Sequence, residues 1–208
     1  MAGRRRSGGG TTRGQAASRP GRVRIIGGRW RGRRLPVPDL PGLRPTPDRV
    51  RETLFNWLAP EIEGARCLDL FAGSGAIGFE AASRGAGRVV LVDRHPRAVS
   101  HLREVARALD ASAVEVRLAD GLAWLEQTPE RFDLVFLDPP FGQGLIGAAC
   151  ERLEARGVVV EGGLVYLESE AALAEPSLPP TWAILRSGRA GDVRYHLARR
   201  GAAETAGG

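Results

Sequence analysis

At 208 residues the chain can form one full-sized domain with terminal segments to spare, and a hydrophobic share of 43% excludes wholesale disorder. No run approaches the roughly 18 apolar residues that a membrane-spanning helix needs, and the arginine-rich start lacks the apolar core of a secretory signal, so a soluble cytoplasmic protein is expected. Residues 1–60 carry 14 Arg against Asp39, Asp48 and Glu52, a net +11, whereas the rest carries 16 Arg against 21 acids, a net −5; a basic segment of this kind points to a polyanionic partner such as nucleic acid.

Residues 1–21 are Gly, Ser, Thr and Arg without hydrophobic period and read as a disordered basic tail. Residues 22–60 read as a basic extension. VRIIGGRWRGRRLPVP alternates short apolar stretches with Gly and Arg, the pattern of a small hairpin. In RPTPDRVRETLFNWLAP, Thr46 is expected to cap a helix with Pro47 at its first position. Val50, Leu54, Trp57 and Leu58 follow at helical spacing, and Pro60 ends the helix.

Residues 61–200 then alternate strand and helix. CLDLF, RVVLVD, VEVRLAD, FDLVFLD and GGLVYLES read as strands. GAIGFEAASRG, HPRAVSHLREVARALD, a short segment through Trp124 and Leu145 to Leu153 read as helices, the second opening near Asp93 or His95. TWAILRSGRAGDVRYHLARR reads as a hairpin turning over Gly188 to Gly191, and residues 201–208 as a second disordered tail. The alternation predicts an α/β fold: a mostly parallel sheet covered by helices on both faces, closed by an antiparallel hairpin. Cys67 and Cys150 lie in apolar runs without metal-ligand spacing and are expected to be buried thiols; no metal site is expected. His95, His101 and His196 stand in charged contexts, are expected to be exposed, and receive no catalytic role.

The first strand of this alternation runs into DLFAGSGAIG, in which Gly73, Gly75 and Gly78 form G-x-G-x-x-G between strand and helix. Asp93 ends the next strand, placed for the hydroxyls of an adenosine ribose. NAD and S-adenosylmethionine compete for such a loop. Asp69 ahead of it would repel a pyrophosphate but suits the ammonium of a methionine moiety, which favours S-adenosylmethionine. No Tyr-Lys or His-acid pair accompanies the loop, as an NAD-dependent oxidoreductase would require.

The fourth strand ends in Asp138-Pro139-Pro140-Phe141. Two prolines remove two N–H donors. Their carbonyls and the Asp138 carboxylate then form an acceptor-only cluster suited to an –NH2 group, with Phe141 as a stacking face for a base. That group is a poor nucleophile because its lone pair is delocalised. Acceptors around its hydrogens aim the lone pair at an electrophilic methyl carbon. Methylation of adenine N6 in DNA or of a protein glutamine is the alternative, although those enzymes more often carry Asn where Asp138 stands; an RNA-binding protein with a vestigial fold is the non-enzymatic one.

DLFAGSGAIGFEAASRGA, VDRHPRAV and FDLVFLDPPFGQGL, with RIIGGRWRGRRL and RPTPDRVRETLFNWL, closely resemble the RsmD family from about Val23 to Arg199. These are bacterial methyltransferases acting on N2 of a guanine in small-subunit ribosomal RNA. The resemblance implies the Rossmann-like S-adenosylmethionine-dependent methyltransferase fold, seven strands with the last antiparallel, and a monomer acting on ribosomal RNA or the small subunit. It places cofactor contacts on Asp69, Phe71, Gly73, Ser74, Gly75 and Asp93, with Asp120 and Gly121 near the adenine. Arg44, Thr46 and Arg49 would close over the methionine end, Asp138, Pro139 and Phe141 would hold the guanine, and Arg24, Arg29, Arg31 and Arg33 would hold RNA. The Gly/Arg tail ahead of Val23 is not required by the family pattern.

Overall fold

In the computed structural model, residues 21–40, 43, 45–172 and 176–202 are described; the expected tails and Arg44 otherwise lie outside them. β1 (Arg22–Arg24) and β2 (Arg34–Pro36) pair antiparallel, with Val23 opposite Leu35. Both strands turn their middle apolar residue inward and their ends outward, so Arg22, Arg24 and Arg34 share the exposed face.

The helix α1 (Asp48–Trp57) begins after Pro47, which occupies the cap position without a side-chain cap bond. The expected Thr46 cap is therefore corrected. The Thr46 hydroxyl is turned away toward two carboxyls, described below, and the backbone carbonyl of Pro47 accepts from Val50 and Arg51 instead. The helix also ends at Trp57, ahead of Pro60, with Leu58 as its C-cap.

Ten further elements follow β3 (Arg66–Asp69) among the described residues: α2 (Ala76–Ser83), β4 (Arg88–Asp93), α3 (Pro96–Ala108), β5 (Val114–Leu118), α4 (Gly121–Gln127), β6 (Phe132–Leu137), α5 (Leu145–Ala155), β7 (Val159–Glu170), β8 (Trp182–Ala190) and β9 (Val193–Arg200). The sheet order is β5-β4-β3-β6-β7-β9-β8. β3 to β7 pair in parallel, and β9 inserts antiparallel between β7 and β8. The chain winds outward from β3 in one direction through β4 and β5, then returns to the other side at β6. This reversal opens a crevice at the carboxyl ends of β3 and β6, where open α/β sheets bind ligands.

Parallel strands covered on both faces carry near-continuous apolar runs, and alternate residues feed two cores. Cys67, Val89, Leu91, Leu134 and Phe136 pack with Val50, Leu54 and Phe55 of α1, Phe79 of α2 and Leu102 of α3. Leu68, Val90, Val92, Val135 and Leu137 pack on the other face with Leu125 of α4 and Cys150 and Leu153 of α5. Both cysteines are buried and free, as expected. The closing turn is shorter and later than expected: Ala190 pairs with Val193 across Gly191-Asp192. Gly188 stays within β8, where a side chain would run into the ring of Tyr195 on the paired strand. Among the described residues no helix is long and apolar enough to cross a membrane.

The extension is fastened to this body by buried charge. Glu80 of α2, fully buried, accepts the backbone N–H groups of Ile26 and Gly27 at 2.8 Å each. Arg51 of α1, also fully buried, pairs with Glu80 at 3.3 Å and Asp48 at 2.6 Å, and donates to the carbonyls of Arg24 and Thr46 at 2.8 and 3.2 Å. Ser83 accepts from Trp30 N–H at 2.9 Å and donates to the Gly27 carbonyl at 2.6 Å.

Candidate active site

Three carboxyls stand at the ends of neighbouring strands. Asp69 closes β3, whose register pairs it with Leu91 of β4 and Phe136 of β6. Asp93 and Asp138 each lie two residues beyond those partners. Asp69 is 2% exposed and accepts the N–H of Gly78 at 3.1 Å. Burial, reinforced by the nearby negative charge of Asp93, pushes its pKa up to about 7. Asp93, half-buried, accepts the N–H of Gly73 at 2.9 Å through one oxygen and of His95 at 2.7 Å through the other. It thus ties the glycine loop to the start of α3, and a carboxylate with about four lone-pair positions keeps two for a ligand diol.

Between these acids runs the glycine loop. Gly75 precedes α2 at φ 77°, a left-handed conformation that a side chain would strain. Ser74 is buried and Phe71 half-buried. Asp120 caps α4 by accepting the N–H of Ala123 at 3.0 Å. Gly121 behind it lies against Phe71, so that a Cβ there would stand 3.2 Å from the ring. Leu43 presses on the loop from the extension, reaching within 2.7 Å of where a Cβ of Gly73 would be. The structure therefore gathers Asp69, Phe71, Gly73, Ser74, Gly75, Asp93 and Gly121 at the carboxyl ends of β3 and β4, with Asp120 exposed beside them. Arg49 is exposed on α1, and Arg44 lies outside the described residues.

Asp138 is half-buried at the end of β6. Thr46, 4% exposed, places its Oγ1 3.1 Å from Asp138 Oδ2 and 3.2 Å from Oε2 of Glu168. Glu168 in turn accepts from the hydroxyl of Tyr166 at 2.9 Å. Burial raises the pKa of Asp138 well above the usual carboxylate range, and the negative charges of Glu168 and Asp69 add to it; burial also raises that of Glu168. Pro139 is buried, Pro140 is exposed, and Phe141 is 49% exposed, leaving its ring open to a planar partner. The N–H of Gly142 is tied to Glu170 at 2.6 Å, which holds the turn against the end of β7.

Glu168 is the main residue that the motifs did not reveal. Leu137 and Leu167 are register partners in β6 and β7, so the next residues, Asp138 and Glu168, are neighbours at the same sheet end. A glutamate inside the otherwise apolar LVYLES strand was the available signal. None of the ion pairs among the described residues involves Asp69, Asp93, Asp138 or Glu168, and no metal-binding cluster occurs among those residues.

The arginines of the extension form a separate surface. Arg24, Arg29, Arg31 and Arg33 are all exposed. Arg24 lies 3.5 Å from Asp48, and the Arg29 guanidinium lies over the Trp30 ring at 5.8 Å. Arg29, Arg31 and Arg33 border a cavity of about 450 Å³ with Trp30 and Asp110. The histidines depart from expectation in part. His95 is exposed and caps α3 by accepting from Arg97 N–H at 3.2 Å, but His101 is half-buried and His196 is 1% exposed. His196 sits at an inward position of β9, which its charged neighbours concealed.

A parallel sheet with one inserted antiparallel strand, a glycine loop after its central strand, an acid after the next and an acceptor-rich turn at the switch point define a Rossmann-like methyltransferase. The family model described as "Conserved hypothetical protein 95" matches residues 23–199. The chain belongs to this family, the RsmD family that its motifs resemble. It is 47% identical over 180 residues to the ribosomal RNA small subunit methyltransferase D of Escherichia coli (strain K12), covering 86% of this chain and 91% of that one. The corresponding protein of Haemophilus influenzae is 42% identical over 188 residues, covering 88% and 96%. A solved putative methyltransferase from Escherichia coli superposes with a TM-score of 0.82 at 44% identity, covering 87% of this chain and 99% of that one.

Proposed function

We propose that this protein transfers a methyl group from S-adenosylmethionine to the exocyclic N2 of a guanine in small-subunit ribosomal RNA. The observation that carries the reading is the juxtaposition, at one sheet end, of the Asp138-Pro139 acceptor turn with two carboxyls, Asp69 and Asp93, that no arginine among the described residues neutralises. Named relatives that are ribosomal RNA small subunit methyltransferases support the substrate class.

The residues present fit the cofactor. Asp69 is buried with a pKa near 7, so an ammonium arriving beside it would be received by a carboxyl that lacks a cationic partner. The free lone pairs of Asp93 suit a ribose diol. The loop segment at Gly73 to Gly75 and the ring of Phe71 would line the rest, and Leu43 would cover it. S-adenosylmethionine supplies the electrophile, a sulfonium methyl whose S–C electron pair stays on sulfur.

The chain's own residues bind and orient the base. The Watson–Crick edge of guanine offers N1–H and the N2 amino group side by side, both donors. An ionised Asp138 accepts from both, whereas adenine places an acceptor beside its amino group and calls for the amide of Asn. The Pro139 carbonyl adds a second acceptor without a competing N–H, and Phe141 stacks on the ring. Holding the amino nitrogen in line with the methyl carbon supplies most of the rate. The arginines at positions 24, 29, 31 and 33 hold phosphate.

The test is methyl transfer to isolated small-subunit RNA and to assembled small subunits, with the product base identified by mass spectrometry. N2-methylguanine is the expected product. Methylated adenine, or no transfer to either substrate, overturns the reading.

A further inference from the structure

We propose that Asp138 and Glu168 hold a single proton between them across the Thr46 hydroxyl, and that Glu168 takes this proton when the substrate amino group reaches Asp138. The inference rests on the reading of the Asp138 turn given above. It goes beyond it by assigning a role to Glu168, which meets no substrate and acts on Asp138 through Thr46.

The geometry requires an extra hydrogen. Thr46 Oγ1 stands 3.1 Å from Asp138 and 3.2 Å from Glu168, yet a threonine hydroxyl carries one hydrogen. It can donate to only one of the two. If both carboxyls were ionised, the other would face an oxygen lone pair at hydrogen-bond distance with nothing between them, in a buried place where an unpaired charge is costly. One proton on either carboxyl completes the chain.

The environment decides which arrangement holds in each state. Glu168 Oε2 also accepts from Tyr166 at 2.9 Å. Without substrate, Glu168 therefore has two donors, and the negative charge belongs there. Asp138 then keeps the proton and donates it to Thr46 Oγ1, while the Thr46 hydroxyl donates to Glu168. An amino N–H arriving at Asp138 is a donor that favours the ionised form. The chain reverses: Glu168 becomes the acid and donates to Thr46, whose hydroxyl turns to donate to Asp138. The pair's net charge is unchanged, so no ion must enter or leave the buried site.

The other charged and titratable groups are placed consistently. Asp69 on β3 faces Asp138 with negative charge, which favours a proton on the pair. Tyr195 of β9 packs on Tyr166 with ring centroids 6.3 Å apart. Arg51 reaches Thr46 only at its backbone carbonyl, 3.2 Å away, and spends its charge on Asp48 and Glu80. Burial favours the protonated form of both carboxyls.

In methyl transfer the amino nitrogen gains the N–C bond and gives up one proton. Asp138, made ionic by the reversal, takes it. The pair then holds two protons and is neutral; solvent removes one after the product leaves, which restores the starting state.

The experiment is infrared titration of carboxyl groups in the full chain, together with single-turnover kinetics. The parent should show a protonated carboxyl at pH 7 that disappears in both Glu168→Gln and Asp138→Asn. The Asp69 carboxyl, which also titrates near neutrality, is told apart because its signal survives both changes. Glu168→Gln and Thr46→Val should lower the transfer rate by about 10²-fold, the low end of what a positioned proton acceptor contributes. Affinities for cofactor and RNA should stay near parental in Glu168→Gln, and Thr46→Ser should restore the rate lost in Thr46→Val. Absence of the protonated carboxyl in the parent, its persistence in both variants, or a parental rate in Glu168→Gln would each overturn the proposal. If a carboxyl variant fails to fold, the Thr46→Val and Thr46→Ser pair still decides, since a bridge without function gives equal rates. Failure to methylate any RNA would sink the function proposed above but leave the infrared result to decide the shared proton.

Discussion

Asp69 shows how a residue can work against the fold and for the site. Its pKa of 3.8 in the unfolded chain rises to about 7 in the folded one. Below pH 3.8 both states hold the proton and the residue is neutral in the balance. As pH rises toward 7 the unfolded state releases its proton first, so stability falls across that window by up to about 1.4 kcal/mol per unit and levels off above it. Asp69→Asn should therefore flatten the decline of the melting temperature of cofactor-free protein between pH 5 and pH 8. The same change should weaken S-adenosylmethionine binding, because an amide cannot neutralise an ammonium. Thermal unfolding across that pH range with calorimetric titration checks both; equal slopes for parent and variant would show that Asp69 is ionised in the folded state. Asp93 differs, since its two oxygens already hold Gly73 and His95. Asp93→Ala removes a charge-assisted bond worth roughly 1.5–3 kcal/mol, or about 10- to 150-fold in cofactor affinity, and calorimetry reads it directly. These two acids were legible in the sequence because their spacing from the glycines is local. Glu168 was not, because its meeting with Asp138 depends on the register of β6 against β7, which no short motif encodes.

At the scale of elements, most of the parallel sheet and its helices could be read from apolar runs and helical spacing, because each strand is short, buried on both faces and bounded by Gly or charged residues. The start of α1 could not. Thr46-Pro47 has the form of a cap and first residue, but tertiary partners took the hydroxyl, and a buried carboxyl pair outweighed a cap bond worth about 1 kcal/mol. Arg51 was likewise hidden, since an arginine in an amphipathic helix ordinarily faces solvent. Here it is fully buried and joins α1, the β1–β2 ribbon, the Thr46 carbonyl and Glu80. Arg51→Leu takes one cation from Glu80 and Asp48, while Arg84 still holds Glu80 at 2.8 Å and Arg24 lies 3.5 Å from Asp48. The change should destabilise the protein by less than the about 3–5 kcal/mol lost when a buried charge is left without any partner. The extension should loosen before the sheet does. Hydrogen exchange is the measurement: faster exchange at Ile26, Gly27 and Trp30 is expected, with β3 to β7 unchanged. Uniform acceleration would instead mean that extension and sheet unfold as one unit.

Across the whole molecule, the charge split of +11 in residues 1–60 against −5 in the remainder sets where a polyanion can be held. Acids converge on the crevice at the carboxyl ends of β3 and β6, which suits a cationic cofactor and repels phosphate. On the proposed function, the RNA backbone would then be held on the extension, with one base carried to Asp138. Arg29, Arg31 and Arg33 are exposed beside Trp30, and Arg22 and Arg34 share the outer face of the ribbon with Arg24. Of the four arginines read as RNA contacts, Arg24 has Asp48 nearby to offset its charge, so it should contribute least. Changing Arg29, Arg31 and Arg33 together to Ala should weaken RNA binding and flatten its salt dependence. Each lost phosphate contact should reduce the slope of log affinity against log salt by about 0.7–0.9, so three lost contacts remove roughly 2–3 from it. Cofactor affinity should not change, because these side chains border a cavity with Ala108 to Asp110 at the far end of α3 from Asp93. Arg24→Ala alone should shift the slope by much less than one contact. RNA affinity measured from low to high salt for the parent, the triple variant and Arg24→Ala separates these terms. A triple variant with the parental slope would move the phosphate-binding surface off the turn between β1 and β2, leaving the outer face of the ribbon and the β8–β9 edge with Arg186, Arg189 and Arg194 as the places to probe next.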